Sequence, residues 1–270
     1  MIISVDFIPI MTDYNSMEMN NRQLGGQYGK VSGHLYEEHL TNNPTEISSD
    51  VQSVKLITGY VKAIEGNSRP KTESKADALI TMNDGSQVLA SIKKNGRASA
   101  WQIQLSNLSN YANLFNMPEN VQKVFRLYLG VGTVKDWDAF VATYGDYKPQ
   151  DDEEIRLGRL FLSTIEQQEP EAYAEFVSWV NKNSRLIIKT LLSSGMTDEQ
   201  HATHMFFEEF GMFAIDDVVD KLDGPFIMKK TGSTFNIGGM SFQRYSNGKQ
   251  ADNLQARLSR SDFRKAMNIQ

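Results

Sequence analysis

The sequence predicts a mixed α/β fold, a mixed β-sheet core flanked by helices with a helical insertion or subdomain. Three observations predict it. A hairpin signature lies in the first third, where the apolar runs Ala78–Met82 and Val88–Ile92 flank the turn cluster Asn83-Asp84-Gly85-Ser86. Further strand-like runs occur at Val51–Ile64, Val124–Val131, Phe226–Met228 and Thr234–Phe242. Between Val131 and Phe226, from Asp136 to about Leu222, apolar residues recur at helical spacing, including Met205 through Phe213.

Taken in order, Ile2–Ile10 is an apolar run suited to an edge strand. A helix is expected over 29–41, because Gly33, Tyr36, Glu37 and Leu40 fall at i, i+3, i+4 and i+7 and so share a face. That face sets the Glu37 carboxylate beside an aromatic and a leucine, a costly position unless the charge is paired or bound to a metal. Glu38, about 100° further round, is the second choice. Thr41–Asp50 reads as a polar loop, Val51–Ile64 as a strand bent at Gly59, and Glu65–Lys75 as a polar turn carrying Arg69, Lys71 and Lys75.

Register decides what the hairpin can do, since a slip of one residue moves every side chain to the other face. A two-residue Asp84-Gly85 loop would set Asp77 opposite Ile92. A three-residue loop with Gly85 in the left-handed position sets Asp77 opposite Ser91, with Lys93 on the diagonal, and is the expected arrangement. After the basic link Lys94–Arg97, Trp101, Leu105, Leu108, Ala112 and Phe115 predict a helix that leaves Gln102 and Gln104 on other faces. Val124–Val131 is then a buried strand, and Pro149 with Asp151–Glu154 opens the helical block. The tail adds two strands, a Gly238-Gly239 bend, a basic loop Gln243–Lys249 and a closing helix with Arg257, Arg260, Arg264 and Lys265. The expected division is 1–135 as a core of helix, hairpin and helix, 136–223 as an acidic helical insertion or subdomain, and 224–270 as basic strands and a helix completing the core.

Composition narrows the function. The 270 residues contain no cysteine, which removes disulfides and thiolate metal sites. No run of about 18 apolar residues exists and the first residues lack a basic stretch, so neither a membrane span nor a signal peptide is indicated and a cytoplasmic location is expected. The net charge of −5 hides an asymmetry: residues 136–223 carry a balance of −12 and residues 225–270 one of +6. Such a chain can present phosphate to one face and keep it from another. His201 and His204 lack the i, i+4 spacing and intervening Glu of a zinc helix, Gly130-Val131-Gly132 lacks the third glycine of a dinucleotide fingerprint, Gly248-Lys249 lacks the upstream glycine of a phosphate loop, and no Gly-x-Ser-x-Gly elbow occurs.

Asp77, followed after the turn by Ser91-Ile92-Lys93, resembles the core of the PD-(D/E)XK nucleases, the superfamily of many restriction endonucleases, with Ser91 in the position normally acidic and Ala76 where a proline is usual. Gly33-His34-Leu35-Tyr36-Glu37 resembles the Gly-x-x-aromatic-Glu of the helix before that core. Ile237–Arg244, Lys249 and Asn253-Leu254-Gln255 resemble the closing strand and basic loop of some restriction-endonuclease-like chains. The resemblance implies a restriction-endonuclease-like sheet and a Mg²⁺-dependent DNA endonuclease, with Mn²⁺ as substitute. It implies Asp77, Glu37 and the backbone carbonyl of Ile92 as metal ligands, Lys93 holding or deprotonating the attacking water, and Ser91 giving an oxygen without charge. It further implies DNA contacts from Gln102 and Gln104, from Arg97, and from Arg244 and Lys249, the last two because such cations serve phosphate and Arg reads guanine. A homodimer with one site per strand would fit. A second class stays open: a catalytically inactive nuclease-like fold serving as a DNA-binding or protein-assembly module, motivated by Ser91, Ala76 and the acidic total charge. An RNA-directed enzyme is also open.

Overall fold

A computed structural model describes residues 33, 35–57, 75–95, 99–131, 137–145, 158–194, 201–229, 232–245 and 253–269. Ile2–Ile10, His34, Gly59, Arg69, Lys71, Arg97, Gly132, Asp151–Glu154 and Lys249 lie outside the described residues. The fold is mixed α/β, built from two five-stranded sheets flanked by helices. After a helix over 35–42 (α1) come β1 (Val51–Leu56), β2 (Ala78–Met82) and β3 (Gln87–Lys93). These pair antiparallel and are joined in parallel by β5 (His204–Phe207), itself paired with β6 (Gly211–Ala214). The second sheet, entirely antiparallel, runs β4 (Ala100–Asn107), β10 (Asn253–Ser259), β9 (Met240–Arg244), β8 (Thr234–Ile237) and β7 (Phe226–Lys229).

The β2–β3 hairpin has the three-residue loop that the turn chemistry favours. Met82 N donates to Ser86 O (2.8 Å), Gly85 takes φ 83°, and Asp84 Oδ1 accepts from Ser86 N (2.8 Å), tying the turn. The ladder runs Ala78↔Ala90 to Thr81↔Gln87, which carries Asp77 to the level of Ser91.

Four expected elements differ. The closing helix expected to carry Arg257 is strand there, because Asn253–Ser259 pairs with both β4 and β9, and it turns helical only from Arg260, where Ser259 caps it. The segment expected as one helix from Trp101 begins as strand β4 and becomes helical (α2, Leu108–Phe115) only where Asn107 accepts from Asn110 N (3.0 Å) as N-cap. Trp101 and Ile103 are buried and Gln102 is exposed, a period of two that pairing with β10 enforces. Val124–Val131 is not a strand but the second half of α3 (Glu119–Leu129), which starts after Pro118 and ends at Gly130 in the left-handed region. Its Val121, Val124, Phe125 and Tyr128 form a helical stripe. Met205 through Phe213 is not helical either, because it supplies β5 and β6 to the first sheet. The acidic block otherwise holds α4 (Trp137–Tyr144), α5 (Leu162–Gln168), the long α6 (Pro170–Ser193) and α7 (Ile215–Leu222), with α8 (Arg260–Ala266) closing the chain. No helix among the described residues is long and apolar enough to cross a membrane.

Two apolar clusters fix the faces of the first sheet. Leu40 of α1 packs with Val54, Ala78, Ile80, Ala90, Ile92 and Phe206 on one side. On the other, Met205 and Phe207 join α3, α6, α7 and the inner face of the second sheet in the large core. Since Ala90 and Ile92 point to the small cluster, Ser91 and Lys93 point toward the large one.

Candidate active site

Asp77 stands at the foot of β2, where its N–H donates to Ala90 O (2.8 Å) and continues the ladder. Its Oδ2 accepts from the Ile92 N–H (2.6 Å) and from Ser91 Oγ (3.1 Å). Lys93 Nζ donates to Ser91 Oγ (2.7 Å) and to Ile92 O (3.3 Å) and lies 3.9 Å from Asp77 Oδ2, both side chains about one-sixth exposed. Thus a carboxylate, a hydroxyl, a carbonyl and an ammonium meet at one rim of the sheet, because register sets Asp77 opposite Ser91, alternation puts Lys93 on the face of Ser91, and Ile92 between them adds its backbone carbonyl.

The first helix brings the second carboxylate. Glu37 is 8% exposed, and its carboxyl is pushed up to about 8, first by burial, then by the charge of Asp77, with Lys93 opposing. Its neighbour Tyr36 carries the Lys94 ammonium 5.5 Å from its ring centroid, and burial followed by the charge of Glu208 pushes the Tyr36 hydroxyl up to about 12. Lys75, read in the sequence only as part of a basic turn, also belongs to this neighbourhood. Its Nζ donates to Ile103 O of β4 (2.8 Å), linking the sheets, and is pushed down to about 7 by burial, then by Lys93, with Asp77 opposing. The residue is partly exposed while its ammonium end is enclosed. The available signal was spacing, since two residues before Asp77 in extended chain is the same side.

Of the expected DNA contacts, the described Gln102, Gln104 and Arg244 are not gathered with this group. Gln102 and Gln104 stand on β4 rather than a helix, on the face of the second sheet opposite the buried Trp101 and Ile103. There Gln243 Nε2 donates to Gln255 Oε1 (2.7 Å) and Gln255 Nε2 to Gln102 Oε1, an amide ladder across three strands. Arg244 is turned inward: its guanidinium stacks between Tyr128 (4.8 Å) and Phe161 (5.2 Å) and donates to Tyr128 O (3.3 Å) and Leu160 O (3.4 Å). That makes Arg244 a packing residue in part, because both faces of its guanidinium and its Nη1 donor are engaged inside the fold. His204 is half-buried at the start of β5 against Thr203 Oγ1 (2.9 Å).

Among the described residues no group of three or more His, Asp or Glu side chains could hold a metal ion. The available donor set is smaller: the Asp77 and Glu37 carboxylates and the Ile92 carbonyl. It is all hard oxygen, and the crowding that keeps a proton on Glu37 is what a divalent cation relieves. A Mg²⁺ or Mn²⁺ ion, which completes its shell with water, fits these donors.

No family model and no curated protein matches the chain. Among solved structures the chain is similar to the restriction endonuclease MspI in complex with its cognate DNA, with a TM-score of 0.48 and 13% identity, over 89% of this chain and 94% of that one.

Proposed function

We propose that the chain is a divalent-metal-dependent endonuclease that hydrolyses phosphodiester bonds in DNA. The observation that carries this reading is the convergence of Lys93 Nζ and the Asp77 carboxylate, 3.9 Å apart, beside the buried Glu37. Asp77, Glu37 and the Ile92 carbonyl would hold the ion, which supplies charge stabilisation at the phosphate and activates water. Ile92 N–H fixes the Asp77 carboxylate through Oδ2. Ser91 takes a bond from Lys93 and gives one to Asp77, so it orders both without adding charge. Lys93 is the group that holds the attacking water and faces the charge developing on the phosphoryl oxygens.

Nicking of supercoiled plasmid in Mg²⁺ tests the reading. Wild-type protein is expected to nick, Lys93→Ala to be slower by about 10²–10³-fold, and EDTA to stop both. Cleavage by neither protein, or equal cleavage by both, would overturn it. The second reading, a non-catalytic DNA-binding module, is favoured by one observation: the position of the usual second acid is filled by Ser91, 1% exposed, which lowers the negative charge available to a cation. Duplex binding without nicking by the wild type would support it.

A further inference from the structure

A cavity of about 540 Å³ opens where α8 meets the β5–β6 turn and the start of β4. Ser99, Glu209, Phe210, Arg260, Arg264 and Lys265 line it, three cations against one carboxylate. Helical spacing brings the cations together, since Arg260 and Arg264 lie one turn apart and Lys265 follows. Glu209 orients both guanidiniums: Arg264 Nη2 donates to its Oε1 (2.8 Å) and Arg260 Nε lies 3.8 Å from its Oε2. Arg264 also sits 5.3 Å over the Phe210 ring, which fixes its plane. Glu209 is shared between the two guanidiniums, and Lys265 is exposed with no ion pair among the described residues.

This cavity lies on the same face as Lys93. Lys93 and Phe207 are neighbours across the parallel β3–β5 pair, and the Phe207 ring packs 4.3 Å from Phe263 of α8 and 4.6 Å from Trp101. The backbone path between them is short. Lys93 O accepts from Glu208 N (3.1 Å), while Asn95 donates from N to Glu208 Oε2 (2.6 Å) and from Nδ2 to Glu209 Oε2 (3.1 Å). Two extended residues from Lys93 to Asn95 span about 7 Å, and Glu209 is the next contact. The cavity therefore lies within a few nucleotides of Lys93 along a bound strand.

We propose that this cavity receives a backbone phosphate of the DNA strand whose scissile bond lies at Asp77 and Lys93, setting where along the strand the hydrolytic site acts. The inference rests on the nuclease reading for the identity of the strand. Phosphate suits the lining because the Arg264 fork and the Lys265 ammonium can donate hydrogen bonds and neutralise charge, and Ser99 adds a neutral polar group.

The test is binding of a mixed-sequence duplex to the full chain in Ca²⁺, by fluorescence anisotropy between about 50 and 200 mM salt, a range in which each phosphate contact accounts for about 3.5-fold of the affinity lost. Lys265→Gln and Arg264→Gln are each expected to remove one such 3.5-fold factor, and Lys265→Arg to restore it. Lys182→Gln, an exposed lysine on α6, is expected to leave the salt dependence unchanged. Thermal melts confirm that each variant is folded, and Lys265→Gln, on an exposed side chain, stands alone if Arg264→Gln is not. An unchanged slope in Lys265→Gln, an equal loss in Lys182→Gln, or no duplex binding by the wild type overturns the proposal. The two readings fail separately: duplex binding with the expected slopes but no nicking in Mg²⁺ removes hydrolysis alone, and nicking with slopes indifferent to Lys265 and Arg264 removes the cavity alone.

Discussion

Replacing Glu37 by glutamine tests the site through a proton. In the metal-free protein the folded state holds a proton on Glu37 up to about 8, whereas the ordinary value is 4.5. The raised value means that the associated stability is complete below the ordinary value and is lost as pH climbs through about 8, by about 1.4 kcal/mol per unit. For a chain of this size that is roughly 2–3 °C of melting temperature per unit. The amide of Glu37→Gln has no proton to lose, so in EDTA the variant is expected to gain on wild type by about that increment for each unit between roughly pH 5 and 8. Metal binding shows the same proton from the other side. A cation must displace it, so wild-type affinity for Ca²⁺ should rise about 50-fold from pH 6 to pH 8 and level off above, while Glu37→Gln binds more weakly and with a flat profile. Thermal melts in EDTA and calorimetric Ca²⁺ titrations at three pH values measure both. Parallel melting profiles for the two proteins, or wild-type affinity indifferent to pH, would refute the placement of Glu37 beside Asp77.

Other perturbations separate the remaining roles. Ser91→Asp puts a third carboxylate into a position 1% exposed, so its melting temperature should fall in EDTA and recover in Ca²⁺ by more than wild type does; a melt unmoved by Ca²⁺ would count against metal at this rim. Lys75→Met removes an ammonium held down to about 7: the wild type regains stability as pH rises from about 7 toward 10.5, so the variant's lead should be full at and below about pH 7 and vanish by about pH 10.5 in melting experiments. Arg244→Ala should cost about 1–3 kcal/mol in urea unfolding, from two carbonyl bonds and two stacked rings, while duplex affinity stays within about twofold.

How much of this was legible depended on whether local signals agreed. The hairpin was readable because Asn83-Asp84-Gly85 allows two loop lengths and favours the three-residue one, so Asp77 could be set opposite Ser91 with Lys93 on the diagonal before any tertiary contact was known. The segment from Trp101 was not, because its apolar residues satisfy a 3.6 period and a period of two at once; pairing with β10, some 150 residues away, chose the strand. The α3 segment carried its own start and stop, Pro118 and Gly130, and these outweigh a short apolar run that fits either structure. Met205 through Phe213 is decided by the vacant edge of β3, a tertiary fact with no local trace beyond Gly211 at φ 89°. Arg244 illustrates the same limit for function, since a basic residue after a strand reads as a phosphate contact until the rings of Tyr128 and Phe161 are seen on either side of it.

The serine at position 91 gives the site its particular balance. An acid there would pair directly with Lys93 and offer charge to a cation; Ser91 instead passes one hydrogen bond from Lys93 to Asp77. The bonds from Ser91 and Ile92 and the approach of Lys93 all fall on Oδ2 of Asp77, which leaves Oδ1 to face a ligand. A cation at this rim would then meet one oxygen of Asp77, the Ile92 carbonyl and water unless Glu37 ionises and joins. Glu37 ionises with difficulty on its own because the pocket is buried and Asp77 is near. Under the proposed nuclease reading an ion and the deprotonated Glu37 would stabilise each other, and the site would be complete only with both, so the pH dependence of any cleavage should follow Glu37 rather than Asp77.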